Sequence, residues 1–273
     1  MTPSYAVLMP IAPWEPADVV KEALQSLERQ TLPPDQLVVS CDGELPSELT
    51  AVLNACTLPL LRVDGPGGEG VGPVLARGLL ACRHDLVVRA DADDLSLPQR
   101  CAIQVSWLAV HPEVMALSSW IEEFSSEQPR RFYRRVPCDS ARLHRCAVRR
   151  NPLNHPAVIF RRQAVLAVGS YRRRPGFEDY DLWLRLLTRW GPQCLANLPQ
   201  PLVRARVGRA HLARRHGWRY ARAESAFFLG AASEGLISWC DAFLALGLRL
   251  PLRLLPARVL GQVMRCFTRW DAT

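Results

Sequence analysis

Residues Arg89-Ala90-Asp91-Ala92-Asp93-Asp94 follow the apolar run Leu86-Val87-Val88 and lead into Leu95-Ser96-Leu97-Pro98. Three carboxylates therefore crowd the end of a buried strand. In an extended chain alternate residues share a face, which sets Asp91 and Asp93 side by side. Two carboxylates a few ångströms apart repel by roughly 1 kcal/mol in water and by about 4 kcal/mol at an effective dielectric near 20. A cation between them is the expected remedy. Carboxylate-rich oxygen sites suit Mg²⁺ or Mn²⁺, whose shells are completed by water and substrate phosphate, so the leading reading is a metal carrying a diphosphate. The competing reading is helix capping, because Asp94 or Ser96 could simply accept hydrogen bonds from free backbone N–H groups. An EF-hand loop needs Gly at its sixth position and Glu at its twelfth, whereas counting from Asp91 gives Ser96 and Ala102. An aspartyl-nucleophile phosphatase follows its acids with a small residue and Thr, where Asp94-Leu95 stands here.

A second acidic group occurs in Gly176-Phe177-Glu178-Asp179-Tyr180-Asp181-Leu182-Trp183. Leu182, Trp183, Leu186, Leu187 and Trp190 form an apolar helical face, which puts the acids in that helix's first turn. Acids there favour the helix dipole without any further role. The chemical alternative is a general base, an ionised carboxylate held near a sugar hydroxyl. His155, in Asn151-Pro152-Leu153-Asn154-His155-Pro156, is either a substrate contact or a hydrogen-bonded structural histidine. The glycine-rich stretch from Gly65 to Gly72 looks like a phosphate cradle, yet it lacks the Lys-Ser/Thr of a P-loop.

These residues need a scaffold, and the chain alternates strand and helix in the manner of an α/β fold. Tyr5–Met9, Leu37–Cys41, Leu60–Val63 and the acidic strand are read as strands, with helices over 18–30, 73–82 and 98–110 between and after them. A parallel sheet with right-handed crossovers follows, with ligand expected at the carboxyl ends of its strands. Beyond it, strands are expected over 114–124, 157–160 and within 195–206, and the polar segment 125–150 is expected to hold a short helix and a mobile loop. His211 to Trp218 is read as a basic loop. From Arg222 the chain turns helical and leucine-rich, and the apolar stretches 236–250 and 258–270 carry interleaved arginines.

The 273 residues suffice for one large α/β domain with an appendage, and 49% apolar content supports a sizeable core. The net charge of +8 is almost entirely arginine, Lys21 being the only lysine among 34 basic residues. Such a bias reflects base composition as readily as partners, and no zinc knuckle or other signature of a nucleic-acid reader is present. Nine cysteines without a C-x-x-C pair exclude a disulfide framework and fit a reducing cytoplasm. No signal peptide is read, and Asp241, Arg249 and Arg253 interrupt the longest apolar stretch, so no spanning helix is expected. The default reading of stretches 236–250 and 258–270 is helices packed on the core; the alternative is docking on a membrane, with Arg249, Arg253, Arg258, Arg265 and Arg269 near anionic lipid, peripherally on the inner face of the cell membrane.

Taken in order, the blocks Val7-Leu8-Met9-Pro10, Leu37-Val38-Val39-Ser40-Cys41-Asp42-Gly43, Gly70, Val88-Arg89-Ala90-Asp91-Ala92-Asp93-Asp94 with Pro98 and Arg100, His155-Pro156, Gly169-Ser170-Tyr171, and Glu178 to Leu186 resemble a family 2 inverting glycosyltransferase of the GT-A fold. The bacterial exopolysaccharide and O-antigen type is the nearest match. The resemblance covers residues 5–206. It implies a Rossmann-like, mainly parallel sheet in a GT-A domain over 1–207, with a donor-binding half (1–100) and an acceptor half (101–207), followed by a helical extension over 208–273. It further implies that Pro10 and Ile11 line the nucleotide base, that Asp42 hydrogen-bonds it, and that Gly70, Arg77 and Arg89 belong to the donor site. Asp91 would face the ribose or sugar and share with Asp93 a Mg²⁺ or Mn²⁺ that neutralises the departing diphosphate. Asp179 would be the base, helped by Glu178, with His155 and Trp183 beside the acceptor. The implied reaction moves one sugar from a nucleotide sugar, UDP-linked by preference, to a lipid-linked or polysaccharide acceptor. The Q-x-x-R-W sequence of processive synthases is missing, which favours single addition. A sugar-phosphate nucleotidyltransferase shares the general sheet but would carry a basic glycine-rich N-terminal loop, and a catalytically silent membrane scaffold would not need both acidic motifs.

Overall fold

The computed structural model describes residues 3–125, 128–207, 217–254 and 269–271. Strand β1 (Tyr5–Ile11) is buried on both faces and forms the middle of the sheet's parallel part. Its odd-numbered residues Tyr5, Val7 and Met9 enter one core cluster and Ala6 and Leu8 the other, the two-residue alternation of an extended chain. β2 (Gln36–Cys41), β3 (Leu60–Val63) and β4 (Leu86–Arg89) run parallel to it in the order β3-β2-β1-β4. Helix α1 (Ala17–Glu28), α2 (Ser47–Asn54) and α3 (Val71–Ala81) make the crossovers. α1 and α2 supply Val20, Leu24, Leu49 and Leu53 to the first cluster, while α3 supplies Leu75 and Leu79 to the second. Helix α2 has no counterpart in the sequence reading. Its eight residues carry only two buried apolar positions, Leu49 and Leu53, too few for a visible period.

Beyond β4 the sheet turns mixed, whereas a mainly parallel one was expected. β5 (Leu95–Ser96) and α4 (Arg100–Ala109) lead to β6 (Ala116–Ser125), which returns through β7 (Gln128–Arg134) as an antiparallel pair. Segment 125–150 therefore holds a strand as well as the expected helix, α5 (Ser140–Ala147). The arginines of β7 hid it, because they break the apolar alternation by which a strand is read. β8 (Ile159–Arg161) runs antiparallel to both β4 and β6, and α6 (Arg162–Ala167) follows directly. After α7 (Glu178–Trp190), β9 (Leu195–Arg206) runs parallel along β6 as one strand with two register shifts, and pairs with β5 near its end.

Helices α8 (Trp218–Ser233) and α9 (Trp239–Leu254) pack on α7. α7 is thereby covered on two faces. Leu182, Trp183 and Leu186 meet the sheet, while Tyr180 and Leu184 meet Phe227, Phe228, Ala242 and Leu246. The buried Glu224 of α8 accepts from Arg249 Nε at 2.7 Å and from Arg253 Nε at 2.8 Å, which locks α9 to it. The described helices thus take the core-packing role that was the default reading, and Arg249 and Arg253 turn inward, since a buried carboxylate demands partners. At the C-terminal end, Arg269–Asp271 is a short strand, β10, on the edge of β7, not the end of a helix. The rest of the 258–270 reading and the loop expected from His211 to His216 lie outside the described residues. Among the described residues all cysteines are free thiols, and no helix is long and apolar enough to cross a membrane.

Candidate active site

Strand β4 ends at Arg89, and the chain then turns. The turn, not strand alternation, gathers the carboxylates of Asp91, Asp93 and Asp94, whose nearest oxygens all lie within 4.8 Å of one another. Two arginines brace this turn. Arg89, buried, forms an ion pair with Asp91. Arg206, at the end of β9, donates its backbone N–H to Asp94 Oδ1 at 2.7 Å and its Nε–H to the Asp93 carbonyl at 3.1 Å. Beneath them the buried Arg100 donates to the Arg89 carbonyl at 2.7 Å and to Ser96 Oγ at 3.0 Å, fixing the backbone where the strand ends.

Burial first, and neighbouring charge second, raise two of these acids. Burial, then the charges of Asp91 and Glu15, push Asp93 up to about 6. Asp94 is likewise raised, by burial first and by Asp91 and Asp93 next. Burial opposes the charge of Arg89, yet Asp91 outweighs it and holds the guanidinium above its ordinary value. Convergent carboxylate oxygens with an unbalanced negative charge are the donor set that a hard divalent cation satisfies, so the residues present fit Mg²⁺ or Mn²⁺.

Asp91 and Asp93 lie on the wall of a cavity of about 340 Å³ together with Pro10, Ile11, Asp42, Gly70 and Arg89. Gly70 caps α3 with φ 82°, a left-handed conformation that costs other residues, and this brings the helix's free N–H groups to the cavity. Asp42 Oδ1 accepts the Glu69 N–H at 3.0 Å, so one carboxylate oxygen is committed to shaping the loop. Arg77 does not line this cavity. It pairs with Glu69 and donates to the Cys41 carbonyl at 2.8 Å, a strut under the glycine-rich loop where a donor contact was expected. Trp14 and Glu15, at the same cavity, were not anticipated from sequence, because the segment between Pro10 and α1 has no period to read.

The second acidic group opens α7. Asp179 Oδ1 accepts the N–H of Tyr180 at 2.8 Å, and Oδ2 accepts from Asn151 Nδ2 at 2.5 Å. Glu178 adjoins the donor side, since a Cβ placed on Gly72 of α3 would lie 3.4 Å from its Cβ. Burial and then Asp179 push Glu178 up to about 7. Asp181 belongs to the scaffold, buried and paired with Arg185 at 2.8 Å and Arg174 at 3.4 Å. His155 lines a cavity of about 230 Å³ with Asp179 and Asn151, and its Nε2 meets Tyr171 Oη at 3.0 Å. Burial, then the Arg89 charge, lowers its pKa well below the ordinary histidine value, so it is neutral at pH 7. Trp183, expected beside the acceptor, is wholly buried in the sheet-facing core, with its ring edge-on to His155 at 6.0 Å. Its place on the apolar face of α7 decides this. The two cavities have no lining residue in common. Tyr171 feels Arg89, Asp179, Glu178 and Asp91 together.

The family profile described as glycosyl transferase family 2 matches residues 12–171. The amylovoran biosynthesis glycosyltransferase AmsE of Erwinia amylovora is 34% identical over 94% of this chain and 96% of its own. The Escherichia coli UDP-Gal:alpha-D-GlcNAc-diphosphoundecaprenol beta-1,3-galactosyltransferase is 33% identical over 97% of this chain and 96% of its own. Among solved structures, S. aureus TarS 1–349 in complex with UDP-GlcNAc superposes with a TM-score of 0.64 at 14% identity, covering 97% of this chain and 73% of that one. The mannosyltransferase PcManGT from Pyrobaculum calidifontis, in complex with GDP-Man and Mn²⁺, gives 0.59 at 18% identity, covering 98% and 81%. These two share the fold.

Proposed function

The chain belongs to glycosyl transferase family 2, and from that membership we propose that it moves a single sugar, with inversion, from a nucleotide sugar to a lipid-linked or polysaccharide acceptor. The observation that carries this reading is the gathering of three carboxylates on a cavity whose other walls are Pro10, Ile11, Asp42 and the N-terminus of α3. The relatives' names support surface-glycan assembly, and a UDP-linked donor is the reading in keeping with one of them. Asp91 and Asp93 would hold Mg²⁺ or Mn²⁺, which neutralises charge building on the departing diphosphate. Pro10 and Ile11 shape the base pocket and Asp42 offers its remaining oxygen to the base. Asp179, oriented by Asn151 and the Tyr180 N–H, takes the acceptor hydroxyl's proton at Oδ2 or Oδ1 as that oxygen attacks the anomeric carbon. Attack and departure in line invert the configuration, so no protein nucleophile is needed. Glu178, near neutral charge balance at pH 7, keeps a second full charge from crowding the base.

The reading extends to location. Helix α9 exposes Trp239, Phe243, Leu244 and Leu248 along one side, and Trp218 is exposed at the start of α8. In a chain of net charge +8 this apolar side suits the interface of an anionic membrane.

Nucleotide release from a panel of nucleotide sugars, with and without Mn²⁺, tests the reaction. Asp93→Ala and Asp179→Ala should each abolish transfer while the circular dichroism spectrum stays that of the wild type. Normal turnover in either variant would refute the assigned roles. For the location, sedimentation with phosphatidylglycerol vesicles should carry the protein down and Phe243→Glu should release it. No vesicle binding by the wild type would refute it.

A further inference from the structure

One face of α5 carries charge that the fold does not use. Arg142, Arg145 and Arg149 are spaced three and four residues apart, which sets them along one side of α5 and its C-terminal turn, while Leu143 and Ala147 go to the core. Arg150 joins them, its Nε–H donated to Cys146 Sγ at 2.8 Å. All four are exposed, and among the described residues none of their guanidiniums pairs with a carboxylate. Together they line an open depression of about 730 Å³, where Asp139 is the only carboxylate among the described lining residues. Asp139 is itself engaged, since its Oδ1 caps α5 by accepting the Arg142 N–H at 2.8 Å. The helix dipole favours a cation in the last turn, which accounts for Arg145, but disfavours one in the first turn, where Arg142 stands. Base composition explains arginine in place of lysine, not four arginines on one wall facing a single acid.

The same depression has an apolar side. Trp120, Pro137 and Pro199 line it beside the arginines. Trp120 donates its Nε1–H to the Val136 carbonyl at 3.1 Å and carries the Arg135 guanidinium over its ring at 4.9 Å, so the indole is fixed in place. Apolar rings next to guanidinium forks match an acidic saccharide, whose C–H faces pack on rings and whose planar carboxylate takes two-point hydrogen bonds. A bare phosphate would engage the forks and leave the rings idle. A volume of about 730 Å³ is that of a site enclosing a small ligand, whereas a bilayer surface is flat and does not enter a depression. The depression also shares Val136, Pro137, Cys146 and Arg150 with the cavity that Asp179 lines. A glycan reaching Asp179 therefore has its neighbouring sugar beside the α5 arginines.

We infer that this depression is the subsite for a carboxylate-bearing sugar of the acceptor, next along the glycan from the sugar whose hydroxyl faces Asp179. The inference rests on the transferase reading given above and adds the chemical class of the acceptor. Arg142 and Arg145 line the depression and not the Asp179 cavity, so they select the neighbouring sugar without touching the one that reacts. Both are exposed and can be exchanged without opening the core.

The test is calorimetric titration of the full-length protein with trigalacturonate in chelator, where the carboxylate turn has no cation with which to hold an acid. The wild type should bind it. Maltotriose, of equal length without carboxylates, should bind at least about tenfold more weakly, and trigalacturonate should bind the double variant Arg142→Gln/Arg145→Gln at least about tenfold more weakly. Arg83→Gln/Arg219→Gln removes the same charge from exposed positions outside the depression and should bind trigalacturonate as the wild type does. The ligand should also slow alkylation of Cys138, exposed in the depression, and leave that of Cys240, exposed on α9, unchanged. Absent binding, equal affinity for maltotriose, undiminished binding by the α5 double variant, equal weakening in the control pair, or an unprotected Cys138 would overturn the inference. So would inorganic pyrophosphate binding more tightly than trigalacturonate, or cosedimentation with phosphatidylglycerol vesicles that is lost in Arg142→Gln/Arg145→Gln, which would assign the arginines to a phosphate or to a lipid surface. Trigalacturonate binding is read without donor, metal or turnover, so its failure is distinct from failure of the transferase reading, which would show as absent metal-dependent donor turnover.

Discussion

Replacing Asp93 with Asn should stabilise the metal-free protein while destroying its response to metal. The carboxylate oxygens of Asp91, Asp93 and Asp94 approach within 4.8 Å. Like charges at that distance repel by about 3–4 kcal/mol per pair at an effective dielectric near 20. The ion pair between Arg89 and Asp91 offsets much of this, and Asp93 is only partly buried. The residual relief on neutralising Asp93 is then roughly 1–2 kcal/mol, which for a chain of this size raises Tm by about 2–6 °C. Saturating Mn²⁺ does the opposite job in the wild type. At a hundred times its Kd it should add about 2.7 kcal/mol of stability. Differential scanning calorimetry in chelator and in Mn²⁺ reads both effects on the same samples. Wild type should melt below Asp93→Asn in chelator and above it in Mn²⁺. A variant that melts lower in chelator, or that keeps the full Mn²⁺ gain, would refute the argument that these acids are arranged for a cation.

Three further outcomes follow from particular contacts. Glu178 is raised to about 7 by burial and then by Asp179, so ionising it costs the folded state. The sign is that of a raised carboxyl: the penalty is absent below the ordinary glutamate range and full above about pH 7. Urea denaturation should therefore show stability falling between about pH 5 and 8, and Glu178→Gln should flatten that fall. Gly72→Ala places a Cβ 2.4 Å from the Arg172 carbonyl oxygen, and should cost about 1–3 kcal/mol in chemical denaturation while raising donor KM. Glu224→Gln removes the buried carboxylate that Arg249 and Arg253 share, and should cost about 3–5 kcal/mol by the same measurement.

What could be read from the sequence divides along a physical line. The strands β1, β2 and β4 announce themselves because both faces are buried, so Leu37-Val38-Val39 and Leu86-Val87-Val88 are unbroken apolar runs. The acids at 91, 93 and 94 are legible because three carboxylates at a strand end need a reason. Long-range partners leave no local trace. Asn151 gives no sign that it will hold Asp179, nor Arg206 that it will brace Asp93 and Asp94. Arginines mislead in a chain with one lysine, where the same residue type serves as strut (Arg77), buried brace (Arg100) and cavity wall (Arg135). Trp183 misled in the other direction. Its neighbours in sequence are the acids, but its helical phase sends it into the core.

The clasp between Arg206 and the acidic turn joins positions 112 residues apart. Contacts of such separation form late, after the intervening chain has been ordered. During synthesis the strand bearing Asp91, Asp93 and Asp94 leaves the ribosome long before β9 exists to hold them. Until β9 docks along β6, Asp93 and Asp94 lack the Arg206 clasp and only Arg89 and Arg100 brace the turn, so a nascent chain ending near residue 150 should capture a divalent ion poorly. The spacing of the acidic turn is then completed in one step with the sheet, so a fully built cation site belongs only to finished molecules.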